Sequence, residues 1–291
     1  MLPETQEYLG LSPGSVILDA TCGLGGHTAE LARRLGRLTP PGLVLACDRD
    51  AESLELARAN TADCAAFVHF HQALFSQVGD VLAAEGISQL DGLLADLGAS
   101  RYQLTASERG FSFAADGDLD MRMDRTQGQT AADIVNYDAE NNLADLIYRY
   151  GEERRSRKIA RAIVRARPIR TTGQLAQVIE SVVPRTGKLH PATQTFMSLR
   201  IAVNAEMEEL DALLASIPVA VKPGGRVAII SFHSLEDRKV KQSFQALARQ
   251  GRARLLTRHV VRPSEDERRL NAASRSAKLR ALEVQELKVT S

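Results

Sequence analysis

The sequence predicts an α/β fold: a doubly wound, largely parallel sheet interrupted after its fourth strand by a helical insert. Three observations carry this. Short β-preferring apolar runs alternate with helical patterns over the first hundred residues, a glycine-rich turn follows the first run directly, and a long all-helical stretch precedes the fifth run.

The runs at 15–18, 43–47, 66–70 and 90–95 are separated by helical patterns at 28–36, 51–60 and 75–85, which implies parallel strands with helices on both faces. Residues 97–130, rich in Gly, Ser and Asp, read as loop. Helical patterns then cover 139–150, 152–167, 172–183 and 194–216. Pro223-Gly224-Gly225 signals a turn, 226–231 a fifth buried strand, 236–249 a helix, and 254–261 and 277–284 two late strands. The expected organisation is a discontinuous core, 1–104 with 194–291, holding a helical insert at 105–193.

With 291 residues, 44% hydrophobic and 25% charged, the chain has the composition of a soluble globular protein and no apolar run of membrane-spanning length. The acidic, polar start from Met1 to Glu7 does not read as a signal peptide. Cys22, Cys47 and Cys64 lack paired spacing, which argues against a disulfide framework or zinc ribbon and fits a reducing cytoplasm. The net charge of +1 conceals two basic segments. Residues 149–170 hold nine Lys/Arg against two Glu, and 249–280 hold ten against three acids, a net +7 in each. Such segments on a near-neutral chain suggest a polyanionic partner, RNA or DNA ahead of membrane, although a solvated helix face reads the same way. Within 152–167, Arg154, Lys158, Arg161 and Arg165 fall on one helical face and Ile159, Ile163 and Ala166 on another: an amphipathic helix presenting a cationic row.

The chemistry-bearing residues cluster where strands end. Asp19 closes the first run, and Gly23, Gly25 and Gly26 follow before the helical pattern from Thr28. A strand turning through glycines into a helix brings backbone N–H groups up to a ligand. The spacing Gly-x-Gly-Gly, with an acid four residues ahead, is not the dinucleotide pattern and is similar to the cofactor loop of S-adenosylmethionine-dependent methyltransferases. Asp48 ends the second run, 25 residues past Gly23, where an acid would accept hydrogen bonds from ribose hydroxyls; a helix N-cap is the other reading, for which Asp50 is better placed. Phe75, after the third run, is either an adenine contact or a core residue. His69 and His71 share a strand face and lack an evident third ligand, so no metal is expected.

Asp96 ends the fourth run at the switch point of the sheet, facing both cofactor and substrate. Downstream, Arg109-Gly-Phe111-Ser-Phe113 and Asp118-Leu-Asp-Met-Arg-Met-Asp124 show no hydrophobic period, which points to function, with Phe111 and Phe113 as stacking candidates for a base. The fifth run leads into Ser231-Phe-His-Ser-Leu-Glu-Asp-Arg238. Ser234 and Asp237 fit a capping box there, leaving Phe232 and His233 without a structural reason. No glycine-framed nucleophile elbow surrounds either serine, which argues against a hydrolase.

Taken together, Asp-Ala-Thr-x-Gly-x-Gly-Gly-His, Asp48-Arg49-Asp50, Asp-Leu-Gly-x-Ser, Arg-Gly-Phe-Ser-Phe, Leu-Asp-Met-Arg-Met-Asp, Tyr-Gly-Glu-Glu-Arg, Ile-Ser-Phe-His-Ser-Leu-Glu-Asp-Arg and Arg-Ser-Ala-Lys-Leu-Arg occur in this order, and the chain closely resembles the RsmH (MraW) family over essentially its whole length. The resemblance implies a class I methyltransferase fold with a helical substrate-recognition insert. It implies S-adenosylmethionine as cofactor and N4 of a cytidine in the decoding region of 16S ribosomal RNA as methyl acceptor. It further implies a cytoplasmic protein, monomer or homodimer, working on RNA within the small ribosomal subunit and not on a membrane. Carried over by motif, with Gly23 of the same loop, the cofactor residues are Gly25, Gly26, His27, Asp48, Phe75, Asp96 and Gln103. Asp96, Phe111, Phe113, Phe232 and His233 are the candidates for orienting the cytosine amine, and Arg109, Arg154, Lys158, Arg161 and Arg165 for holding RNA. Two departures stand out. Met1-Leu2-Pro3-Glu4 matches only the tail of the family's opening stretch, and Arg101-Tyr102 replaces Ser-Pro before Gln103, which bears on how that loop holds the glutamine. A DNA amino-methyltransferase, a nicotinamide oxidoreductase and a non-catalytic RNA-binding factor are the alternatives; the loop spacing disfavours the second and the full set of cofactor residues the third.

Overall fold

The structure, a computed structural model, describes residues 1–185 and 190–286. The chain divides into two compact units, Met1–Gly98 with Glu208–Ser291, and Ala99–Met207. The division falls outside the 105–193 limits expected from sequence. Helix Thr193–Val203 places Phe196 and Leu199 in the apolar core of the second unit, so it belongs with the insert.

In the first unit, α1 (Leu2–Leu9) precedes β1 (Val16–Asp19), α2 (Gly26–Leu35), β2 (Leu43–Asp48), α3 (Ala51–Asn60), β3 (Val68–Gln72), α4 (Val78–Ala84) and β4 (Leu90–Asp96). The second unit holds α5 (Arg101–Thr105), α6 (Ala131–Tyr137), α7 (Glu140–Gly151), α8 (Ser156–Ala166), α9 (Thr172–Val182) and α10 (Thr193–Val203). After α11 (Glu206–Ala220), β5 (Val221–Ser231), α12 (Ser234–Arg249), β6 (Ala253–Leu255), α13 (Glu265–Leu270) and β7 (Lys278–Val284) complete the first unit.

The seven strands form one sheet in the order β3-β2-β1-β4-β5-β7-β6, parallel through β5, with β7 antiparallel to both β5 and β6. The central strands are buried on both faces, which is why their apolar runs are continuous rather than alternating. Gly92 lets β4 approach β1: a Cβ there would press on Ile17 Cδ1. The order reverses between β1 and β4, so the carboxyl ends of β1, β2 and β4 line the crevice where ligands of open α/β sheets bind.

Several expected elements take a different form. Pro223-Gly224-Gly225 lies inside β5, bulging between Val221, which pairs with Leu90, and Arg226, which pairs with Gly92; Gly224 has φ 82°. The expected helix 194–216 is two, broken where Ala205 adopts φ 48°. Of the expected strand 254–261, only Ala253–Leu255 and a bridge from Val261 to Leu279 are present. α1, α6 and α13, of six to eight residues each, carry too few turns to show a helical period. No helix among the described residues is long and apolar enough to cross a membrane.

In the second unit, the two motifs of the 106–130 loop fold onto each other. Arg109 is 1% exposed, and its guanidinium donates to the carbonyls of Arg122 and Met123. Asp120 accepts from both the backbone and the guanidinium of Arg122. Gly110 has φ 74°, and a Cβ there would collide with the Asp118 carbonyl oxygen, whereas a Cβ at Gly128, φ 77°, would meet open space. Replacing either with Ala incurs the left-handed backbone penalty, about 1 kcal/mol. Gly110→Ala is therefore expected to lower the melting temperature clearly more than Gly128→Ala, the difference measuring the collision; equal losses in a thermal melt contradict this packing.

Candidate active site

Asp19, at the end of β1, is wholly buried. Its carboxylate accepts from the Thr28 hydroxyl at 2.7 Å and the Thr21 amide at 3.2 Å, fastening the strand tip to the first turn of α2. The Thr21 hydroxyl accepts from the Asp96 amide at 2.6 Å, so the tips of β1 and β4 are linked as well. Gly25 caps α2 at φ 84° with no side-chain cap, leaving the helix's first N–H groups open to a ligand. A Cβ at Gly25 would press on Thr61 and Ala57, whereas Gly26 has nothing within 4 Å of a Cβ, so its glycine answers to no protein neighbour.

Asp48 joins the loop to β2: its carboxylate accepts from the amides of Gly23 at 2.8 Å and Asp50 at 2.9 Å. Each oxygen keeps a further lone pair for a hydroxyl donor. The N-cap of α3 is Asp50, which accepts from the amides of Glu52 and Ser53, so Asp48 is not needed for the cap. Phe75 is half-buried at the start of a single 3-10 turn after β3. His69 and His71 both bond Glu85, at 2.7 Å each.

Asp96, at the end of β4, has one carboxylate oxygen buried with no hydrogen-bond partner. The other lies 3.6 Å from His27 Nε2. Burial, reinforced by the charge of Asp19, pushes Asp96 up to about 7. Burial pushes Asp19 and Asp48 up to about 6 and His27 down to about 4, so this imidazole is neutral at pH 7.

At the end of β5 the cap differs from the expected Ser234–Asp237 box. His233 is the N-cap of α12 and Glu236 its partner: Glu236, 2% exposed, accepts from the amides of Phe232 and His233, and its other oxygen lies 2.9 Å from His233 Nε2. Asp237 instead pairs with Arg280 at 2.7 Å and Lys278 at 3.5 Å. Sequence reasoning passed over Thr21, Thr28 and Glu236. A His-x-x-Glu capping box was the available signal for Glu236; a threonine two residues past a strand-ending acid is too common to flag.

The second unit places its candidates otherwise. Gln103 closes a capping box with Ser100 around α5, so Arg101-Tyr102 leaves the glutamine held. Phe111 is buried, and Phe113 packs against His190 and Phe196, with ring centroids 4.5 and 4.8 Å away. Arg109 is a buried loop brace, not a surface phosphate contact. Lys158, Arg161 and Arg165 are exposed on α8, whose opposite face buries Ile159, Ala160 and Ile163; Arg154, expected on the same helical face, lies exposed in the turn before α8, and Ala166, expected on the apolar face, is exposed.

A 3-2-1-4-5-7-6 sheet with a glycine loop after β1 and acids at the tips of β2 and β4 is the framework of a class I S-adenosylmethionine-dependent methyltransferase. The MraW methylase family model matches residues 1–285, and the chain belongs to this family. A ribosomal RNA small subunit methyltransferase H of Solibacter usitatus is 56% identical over 98% of each chain, and that of Acidobacterium capsulatum 47% identical over 97% of this chain and 96% of its own. The counterpart from Koribacter versatilis is 48% identical, over 96% of this chain and 90% of its own. S-adenosylmethionine is the cofactor of this methylase, and the open first turn of α2, the space beside Gly26 and the unpartnered Asp96 oxygen suit such a ligand.

The three raised carboxylates set a stability window. Each holds its proton more tightly folded than unfolded, so together they cost the ligand-free protein stability as pH rises from about 4, the unfolded value, to about 7, while the lowered His27 offsets part of that loss over the same range. The paired acids Asp63, Asp120, Asp237 and Glu283 are shifted down and act only below that window. Asp96→Asn is expected to raise the melting temperature above wild type near pH 7 and to match it near pH 4; identical melts at both pH values contradict the raised carboxyl.

Proposed function

We propose that this chain transfers a methyl group from S-adenosylmethionine to N4 of a cytidine in the decoding region of 16S ribosomal RNA, in the cytoplasm and on the small ribosomal subunit. Family membership and the names of its close relatives support the RNA class. The observation that carries the chemistry is the half-buried Asp96 carboxylate at the switch point, whose buried Oδ1 is free to accept from a ligand N–H.

In this reading Gly23, Gly25, Gly26 and the open turn of α2 receive the cofactor's amino-acid end, Asp48 its ribose and Phe75 its adenine, with His27 beside them; Gln103 is a cofactor residue by the family motif alone. The bound cofactor supplies a methyl group on a cationic sulfur. In-line attack by an amine demands positioning more than strong base. The N4 lone pair is delocalised into the cytosine ring, and a carboxylate accepting from N4–H localises it. An N4 that had accepted the methyl group would be cationic, and Asp96 would take its proton. Phe232 and His233, fixed by Glu236 at the end of β5, are the remaining orienting candidates. The target base leaves its stack, as enzymes acting on base atoms require. The second unit, Ala99–Met207, recognises RNA through the exposed row on α8; Phe111, Phe113 and Arg109 support that unit from within.

Label from S-adenosylmethionine should appear in N4-methylcytidine when the protein is mixed with small subunits lacking the modification, and Asp96→Ala should abolish it. Label in another nucleoside, or full activity of the variant, refutes the assignment. Arg154, Lys158 and Arg161 changed together to Gln should weaken RNA binding and reduce its salt slope by about two to three; an unchanged slope removes α8 from the interface.

A further inference from the structure

The chain has eight Phe, five Tyr and no Trp, all of them within the described residues. Eleven of these thirteen rings are buried or half-buried; the exposed two are Tyr137, 81% exposed, and Tyr148, 62% exposed. Both lie in the second unit, at the end of α6 and in the last turns of α7.

Their placement beside α8 follows from contacts within that unit. α7 and α8 are joined through Glu152, at φ 52°, and Glu140 at the start of α7 pairs with Arg161 at 3.5 Å, so the two helices run back along each other. Arg167, just past α8, donates to the carbonyls of Val135 and Asp138, on either side of Tyr137. Tyr137 therefore stands at the far end of α8, and Tyr148 near its beginning, beside exposed Arg149. Between them run Arg154, Arg157, Lys158 and Arg165, none paired with an acid among the described residues. The rings and hydroxyls of Tyr137 and Tyr148 likewise have no partner there. A ring left in water forgoes the burial that makes aromatics core residues. Two such rings bracketing a row of unneutralised cations match a ligand with both phosphates and exposed planar faces, which is an unpaired nucleic-acid strand.

We propose that Tyr137 and Tyr148 are base-stacking platforms, so that the insert binds an unpaired stretch of RNA rather than duplex backbone alone. This rests on the reading of the substrate as RNA. The test is binding of the full chain to a short labelled unstructured RNA and to a blunt duplex of equal length, each across a salt series. Tyr137→Ala and Tyr148→Ala should each weaken the single strand at least about fivefold with an unchanged salt slope, because stacking releases no counterions. Tyr→Phe at either position should keep wild-type affinity, and the duplex should respond little. Alanine variants that bind the single strand like wild type overturn the proposal, even if methylation of whole subunits falls, which would place a protein on this face. Phe variants as weak as Ala also overturn it. Wild-type protein that binds neither RNA defeats the substrate reading itself, a result distinct from failure of the tyrosines. Unchanged melting temperatures keep loss of fold from imitating loss of contact.

Discussion

The wholly buried Asp19 carboxylate is the constraint on which the site depends. It receives the Thr28 hydroxyl and the Thr21 amide, and Thr21 in turn receives the Asp96 amide. Asp48 repeats the device one strand over, holding Gly23. The tips of β1 and β2 are thus tied to one loop by hydrogen bonds to carboxylates, and the tip of β4 by its amide to the Thr21 hydroxyl, so the loop and the strand tips are held together. The carboxylate bonds are stronger than neutral ones and expensive to break in a dry site. The loop can then dispense with bulky side chains and offer backbone to a ligand.

The same economy creates an electrostatic debt. Asp19, Asp48 and Asp96 crowd one sheet edge, each raised by burial, and Asp19 raises the other two further. The neutral His27 beside Asp96 does nothing to balance them. A ligand bearing positive charge relieves this arrangement where a neutral one cannot, and S-adenosylmethionine carries a permanent cation at sulfur. With the cofactor bound as proposed, its binding and the ionisation of Asp96 would favour each other.

The parallel sheet was legible because β1, β2 and β4 are buried on both faces and read as continuous apolar runs, each closed by an acid. That Asp50 rather than Asp48 caps α3 was legible because a cap directly precedes its helix. What could not be read depends on partners distant in sequence. His233 rather than Ser234 caps α12 because Asp237 is drawn away by Arg280, more than forty residues on. The break at Ala205 is set by Asn204, whose side chain bonds Met121 and Met123. The core limits moved because α10 packs into the insert through Phe196 and Leu199.

The motifs around Arg109 show why dense, aperiodic loops mislead. Their arginines and aromatics suggested contact with a nucleotide, yet Arg109 spends its charge on the carbonyls of Arg122 and Met123, and Phe113 packs on His190 and Phe196. A buried guanidinium needs acceptors, and a loop without secondary structure has carbonyls to satisfy, so the two solve each other's problem. On α8 the same residue type meets the opposite circumstance. Its carbonyls are already bonded within the helix, acids are scarce, and the charge stays in water. One sequence thus uses arginine both as internal brace and as external handle. Which it becomes is decided by whether the surrounding backbone has acceptors left to offer.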